Sequence, residues 1–276
     1  DVGAPAEPIG QIDANVANEL GLPSNLQLFA GATDGTAGFL ASGAAQPGEV
    51  NATLGTTLVF KAMSDRFVED PTGRMYCHRL PGEMWLPGAA SSTGGEWISH
   101  AFAEADLAAM DRHAAAATPI DVLAWPLVRT GERFPVLKPA FAGFCDHVAS
   151  EADRFAAMLQ GTAFVERMCY HTMQETMGGP QGDTYATGGG STSNVWMQIR
   201  SDVTGSVMHR PAFPEAAFGA AVLAAAGHQQ IPVMAAVRQM VQIDRSFVPT
   251  AGVRARYDDL YEQFCERVKQ EIEICE

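Results

Sequence analysis

Positive charge is scarce in this sequence. Lys and Arg number 18 against 32 Asp and Glu, so the 276-residue chain carries a net charge of −14 at pH 7. Binding along nucleic acid or to an acidic membrane needs clustered basic side chains to neutralise phosphates, and neither is expected as a partner. A small anion stays open if backbone amides or a divalent cation offset the local charge. Cysteine is sparse as well. The five residues Cys77, Cys145, Cys169, Cys265 and Cys275 are odd in number, scattered and without a CxxC spacing, which indicates neither a disulfide framework nor a zinc site and fits a reducing, cytoplasmic setting. No apolar run reaches membrane-spanning length, and the N-terminus shows no charged segment followed by an apolar core, so no transmembrane helix or signal peptide is expected. No fixed-period repeat or low-complexity tract occurs. The chain opens Asp1-Val2-Gly3-Ala4-Pro5 instead of with Met, which reads as a removed start or a piece of something longer. Its length allows one domain or two.

What is present centres on residues 31–57, GATDGTAGFLASGAAQPGEVNATLGTT. Asp34 stands there in a run of Gly, Ala and Thr with no other charge until Glu49. Small residues and backbone therefore surround its side chain, which suits a ligand. Leu-Gly-Thr-Thr at 54–57 follows, a turn whose amides and hydroxyls are equipped to receive phosphate oxygens. Both features have plainer readings, Asp34 as a turn residue or helix N-cap and Gly-Thr-Thr as a hairpin turn. A third element adds weight to the ligand reading. In TYATGGGSTSNVWMQIRSDVTG, residues 184–205, a strand meets three glycines and then a helix start whose first amides lack internal partners.

Along the chain, Ala14 to Leu20 reads as a helix stopped by Gly21 and Pro23, and Leu26 to Ala30 as a short buried strand delivering Asp34 at its C-terminal end, where ligands sit in open α/β sheets. Thr36 to Ser42 reads as a tightly packed helix closed by Gly43. Val50 to Leu54, Thr57 to Ala62, Met75 to Leu80 and Met84 to Pro87 read as an antiparallel meander. Ser91 to Ala103 opens with a second Gly-rich start, Ser92-Thr93-Gly94-Gly95, and becomes helical, and Ala101 to Ala117 is helical. Asp121 to Val128 reads as a strand. Residues 131–143, GERFPVLKPAFAG, form a loop that is either solvated with a salt bridge or ligand-facing through Arg133 and Lys138. Ala152 to Met177 is a long core helix, with Cys169 and His171 as packing residues and no partner at metal-ligand spacing. After the glycine junction come a helix at Val195 to Val203, a strand at Val207 to His209, and a helix at Glu215 to Ala226. Gly219 inside that last helix costs about 1 kcal/mol relative to Ala, so a close contact is expected there. Tyr257 to Glu276 reads as an amphipathic surface helix. The order of elements gives α/β with a mixed sheet.

EPIGQI, GLPSN, GATDGTAGFLASG, LGTT, GERFP, RFAAMLQGTAF, GGGSTSNVWMQIRSDVTG and EAAFGAAVLAAAG, in this order, resemble the C-terminal part of the FGGY carbohydrate kinases. The resemblance covers nearly the whole chain and implies an α/β actin-like ATPase (ribonuclease H-like) fold, a mixed sheet flanked by helices. It implies residues 1–46 as the tail end of the family's N-terminal domain, carrying the catalytic Asp, and 47–276 as the C-terminal nucleotide-binding domain. The implied activity is ATP-dependent phosphorylation of a sugar or polyol hydroxyl with Mg²⁺. Asp34 matches the catalytic base, with Thr33 and Gly35 beside the sugar. Gly55, Thr56 and Thr57 match the loop on the ATP phosphates. Gly189, Gly190, Ser193 and Asn194 match the turn against the adenosine, and Gly95, with Glu96, lines the nucleotide cleft. The implied partners are the sugar, ATP, the family's N-terminal kinase domain and a second copy of the chain in a homodimer.

Two departures stand out. Gly35 replaces a polar sugar-contacting residue, and Gln160 stands where the family often has Glu. The family's N-terminal domain, with its own phosphate loop, is not in the chain, so this chain alone is expected to bind nucleotide weakly and to phosphorylate sugar poorly. TDG around Asp34 and MWLPGAASSTGG look more like ribulokinase and xylulokinase relatives than glycerol kinases, which points to D-ribulose or D-xylulose. The alternatives are a non-catalytic ATP-binding or interaction module of the same fold, a kinase for another sugar or polyol, and a simple metabolite-binding domain.

Overall fold

The computed structural model describes residues 3–178 and 182–274; Asp1, Val2, Cys275 and Glu276 lie outside them. The chain runs through β1 (Pro8–Gln11), α1 (Ala14–Leu20), β2 (Gln27–Phe29), α2 (Asp34–Ser42), β3 (Val50–Leu54), β4 (Leu58–Ala62), β5 (Tyr76–Leu80), β6 (Met84–Ser91), α3 (Glu96–Ala101) and α4 (Leu107–Ala117). It continues through β7 (Ala124–Trp125), β8 (Phe144–Cys145), α5 (Glu151–Met177), β9 (Thr184–Thr187), a 3₁₀ turn (Gly189–Ser191), α6 (Asn194–Thr204), β10 (Met208–Pro211), α7 (Ala216–Gln229), α8 (Val233–Met240), β11 (Ile243–Phe247) and α9 (Arg254–Ile274).

A seven-stranded mixed sheet, ordered β11-β10-β9-β3-β4-β6-β5, forms the centre. β3, β9 and β10 are parallel neighbours, while β4, β6, β5 and β11 add antiparallel partners. Alternation along a strand sends successive side chains to opposite faces. Val50, Ala52 and Leu54 of β3 therefore join the larger core with Phe60, Phe164, Met197 and Phe264, and Asn51 and Thr53 point to the other face. That second face is covered by α2, α7 and α8, whose Phe39, Leu40, Val222, Leu223 and Val237 make a separate apolar cluster. Among the described residues no single helix is long and apolar enough to cross a membrane.

Two glycines allow the layers to close. A Cβ on Gly219 would lie 1.8 Å from the Ala37 carbonyl oxygen, so α7 packs directly on α2, and a Cβ on Gly161 would lie 2.0 Å from the Ala124 oxygen, so α5 packs on β7. The expected close contact at Gly219 is thus present. The departure at Gln160 also has a local reason: its amide accepts from Ile120 N and donates to Ile120 O, at 3.0 and 2.9 Å, and a carboxylate could not supply the donor.

Several expectations are corrected. The strand before Asp34 is not buried: β2 pairs only with β1 in a two-stranded unit apart from the sheet, and Leu26 and Leu28 are 37% and 38% exposed. The meander is reordered, because β6 runs on to Ser91 and inserts between β4 and β5. The Ala-rich stretch is two helices, since buried Phe102 leaves helical geometry and Asp106 caps a new start by accepting from Ala108 N and Ala109 N. The strand at 121–128 shrinks to Ala124–Trp125, where Pro126 removes the next backbone donor. α8 and β11 were not anticipated, and His171 is exposed while Cys169 is buried.

Candidate active site

Most of the residues expected to bind ligand gather near the C-terminal ends of β3 and β9, in two cavities, while Thr33, Thr57 and Asn194 line neither. The first, of about 430 Å³, is lined by Asp34, Gly35, Asn51, Thr53, Lys61 and Thr187 among others. The second, of about 830 Å³, is lined by Gly55, Thr56, Gly95, Gly189, Gly190 and Ser193 together with an apolar wall that includes Ile98, Phe102, Leu107, Phe155 and Trp196. Residues adjacent in the chain line the two: Thr53 and Gly188 the first, Leu54 and Gly189 the second.

Asp34 is the first residue of α2. It is exposed, and its Oδ1 accepts from the Gly35 N–H at 2.7 Å. Thr33 occupies the N-cap position without a side-chain cap bond, its hydroxyl donating to Thr36 Oγ1 at 3.2 Å. Thr33 does not line the cavity. Beneath Asp34 the sheet face carries a polar ladder. Asn51 donates to Tyr185 O and Thr187 Oγ1, at 2.9 and 3.1 Å, and Thr53 bonds Thr187 through their hydroxyls at 2.9 Å. Lys61 completes the floor. Its ammonium donates to Gly35 O at 2.5 Å, and burial pushes its pKa down while the Asp34 carboxylate acts the other way. The sequence reading passed over Lys61, Asn51 and Thr53. The signal was strand alternation, which puts Lys61 on the face shared with Val59.

The turn after β3 is held by its own backbone. Gly55 N–H is not bare, since it donates to Thr57 O at 3.0 Å, while Gly55 O accepts from Gly95 N at 2.7 Å. Gly94 must be glycine because a Cβ there would meet Thr56 O at 2.2 Å. Thr56 faces the second cavity and Thr57 does not line it. In the glycine junction the three residues differ. Gly188 has φ +83°, and Cβ atoms on Gly188 and Gly190 would strike Leu54, whereas Gly189 has nothing within 4 Å and faces open space. Ser193 caps α6 by accepting from Trp196 N at 3.0 Å, and its hydroxyl donates to Asp111 Oδ2 at 2.7 Å. That acidic neighbour, which also lines the cavity, disfavours a phosphate at this helix start and suits hydroxyl or amine donors. Asn194 is not part of the cavity, because its Oδ1 accepts from Arg210 and it lines a different depression.

Residues 50–228 match the profile of the FGGY family of carbohydrate kinases, C-terminal domain. The chain belongs to that family. Among curated relatives, a gluconokinase of Bacillus subtilis (strain 168) is 27% identical over 82% of this chain and 48% of its own length. A ribulokinase of Mycolicibacterium smegmatis is 26% identical over 96% of this chain and 51% of its own. Among solved structures, a xylulose kinase from Brucella ovis superposes with a TM-score of 0.83 at 25% identity, covering 96% of this chain and 56% of that one. The mixed sheet flanked by helices is accordingly the actin-like ATPase fold of FGGY kinases. The chain spans about half the length of the curated relatives it matches.

Proposed function

We propose that this FGGY chain forms one wall of an ATP-dependent sugar kinase, with Asp34 as the base that accepts the proton of the attacking hydroxyl. The observation that carries this reading is the lining of the two cavities: an exposed carboxylate at the head of α2 lines one, and residues next in the chain to that lining, Leu54 after Thr53 and Gly189 after Gly188, line a second cavity with an apolar wall. Adenine takes the wall of Phe102, Phe155 and Trp196, the ribose lies by Asp111 and Ser193, and the phosphates run over Gly55 and Thr56 towards Asp34. Mg²⁺ takes most of its oxygens from phosphates and water and needs only one or two carboxylates. Among the described residues no group of three His, Cys, Asp or Glu could hold a metal, and Glu215 in the first cavity fits that smaller demand. When bound, the ion neutralises charge on the phosphoryl oxygens.

Residues 1–46 belong, in this reading, to the tail end of the family's N-terminal domain and 47–276 to the nucleotide-binding domain, in keeping with a family match that starts at residue 50. The sugar is a ketopentose, D-ribulose or D-xylulose, supported by the TDG segment at Asp34 and by ribulokinase and xylulose kinase among the relatives. A coupled assay of the natural gene product containing this chain, with D-ribulose, D-xylulose and gluconate, tests both points. Asp34→Asn should lower kcat by about 10²- to 10⁴-fold and leave ADP affinity unchanged. Full turnover in Asp34→Asn refutes the assignment, nucleotide binding without transfer to any sugar favours the non-catalytic module, and gluconate as the preferred acceptor refutes the ketopentose.

A further inference from the structure

The loop at residues 131–143 holds a carboxylate that neither cavity contacts. Glu132 is 2% exposed. Its backbone is pinned by exchanged bonds with Lys138, at 3.0 and 2.9 Å, and its loop is anchored by buried Phe134 and Phe141. Five donors converge on the two oxygens. Oε1 accepts from Ser92 N at 2.6 Å, Arg133 N at 2.9 Å and Phe134 N at 3.4 Å, and Oε2 accepts from Ser91 Oγ at 2.9 Å and Thr93 Oγ1 at 3.0 Å. Such a pattern calls for a group that only accepts, which a carboxylate is and an amide is not.

The bonds lead from Glu132 to the turn assigned to the phosphates. Thr93 Oγ1 also accepts from Trp125 Nε1 at 2.7 Å, and Thr93 O accepts from Leu58 N at 2.8 Å at the start of β4. The next two residues are the glycines that touch the turn: Gly94 lies against Thr56, and Gly95 N–H donates to Gly55 O. Segment 91–95 is thus clamped between a buried carboxylate on one side and Gly55–Thr57 on the other. Gly55, Thr56 and Gly95 line the larger cavity and Glu132 does not.

We propose that Glu132 is a positioning residue for the nucleotide phosphates: by fixing Ser91–Gly95 it presets the Gly55–Thr57 turn before ligand arrives. The proposal rests on the nucleotide reading of that cavity. Acting through the turn and not through the apolar wall, Glu132 governs binding of the phosphates and leaves binding of the nucleoside alone. A structural role without this direction would weaken both together.

The test is calorimetric titration of the natural gene product containing this chain with ADP and with adenosine, for wild type, Glu132→Gln and Thr93→Val, with a thermal melt of each to establish folding. The loss of one or two charge-assisted hydrogen bonds at Glu132→Gln should weaken ADP binding by about tenfold or more and change adenosine binding by less than about twofold. Thr93→Val, which removes one donor to Oε2 and the acceptor of Trp125 Nε1 while keeping the shape of the side chain, should show the same phosphate-selective loss and serves if Glu132→Gln does not fold. Wild type and variants binding ADP alike, or losing ADP and adenosine in equal proportion, would overturn the proposal while leaving the nucleotide site standing. Wild type that binds neither ligand overturns the nucleotide reading and this inference with it.

Discussion

Replacing Gly219 with Ala should destabilise the protein although it lies inside a helix. Helix propensity alone favours Ala there by about 1 kcal/mol. Against it stands the contact with α2: the added Cβ would sit 1.8 Å from the oxygen and 2.5 Å from the carbonyl carbon of Ala37, both backbone atoms that cannot turn aside. Relief requires α7 and α2 to part by more than an ångström, since real Cβ contacts below 3.0 Å are essentially unknown. Overpacking of this kind costs about 1–3 kcal/mol, and because the obstacle is backbone the upper half of that range applies. The net expectation is a loss of about 1–2 kcal/mol after the propensity gain. Gly38, next to Ala37 in α2, is the matched control. Nothing lies within 4 Å of its Cβ position, so Gly38→Ala should stabilise by up to about 1 kcal/mol. Urea unfolding followed by circular dichroism reads both as midpoint shifts at constant slope. Because α2 carries Asp34, the Gly219 variant should also lose turnover in the natural gene product, as a misplacement of about 1 Å can cost about 10²-fold. Gly219→Ala as stable as wild type would refute the packing argument.

Two further outcomes are expected. Arg200 and Glu166 form a fully buried bidentate pair at 2.6 and 2.8 Å, with the Tyr170 hydroxyl donating to the same carboxylate at 2.6 Å; Arg200→Met should cost about 3–5 kcal/mol by leaving a buried charge unpaired, and adding Glu166→Leu should restore much of it. A calorimetric melt in which the double variant falls below the single one would contradict that account. Asp70 is the acid-sensitive group of the 70–75 turn: burial alone would raise its pKa, but hydrogen bonds from the Thr72 side chain and from the Thr72, Arg74 and Met75 amides outweigh it and hold the carboxyl below its usual range. A folded pKa below the unfolded one gives stability that is present above about pH 4 and lost as pH falls through the folded value, so Asp70→Asn should flatten the acid limb of a stability profile. Identical acid limbs in wild type and variant would remove Asp70 from the explanation.

Local chemistry made much of this fold legible. Helix ends at Gly21 and Gly43 follow from left-handed C-caps that glycine adopts without penalty, and the demand for a close neighbour at Gly219 followed from a glycine in a helix interior. The candidate cavities were legible where small residues crowd a turn, as at Asp34, Gly55 and Gly189, which line them, because a backbone that must be approached closely has to lack side chains. Where the reading failed, the deciding partner lay far along the chain. Nothing in Leu26 to Ala30 says that the strand will pair only with β1 and stay exposed, nor does Asn194 announce that Arg210 will take its side chain.

The sequence by itself determined many of the strands and helices, though not α8 or β11, together with the family and the place of the one carboxylate in its glycine-rich stretch, since these rest on periodicity, capping and motif spacing within short windows. Only the tertiary structure decided what those residues face. Lys61 reached the Gly35 carbonyl across 26 residues and Glu132 reached Ser92 across 40, through sheet pairing and loop anchoring. Such contacts form because distant segments bury their apolar faces together, and that information is spread over the whole chain.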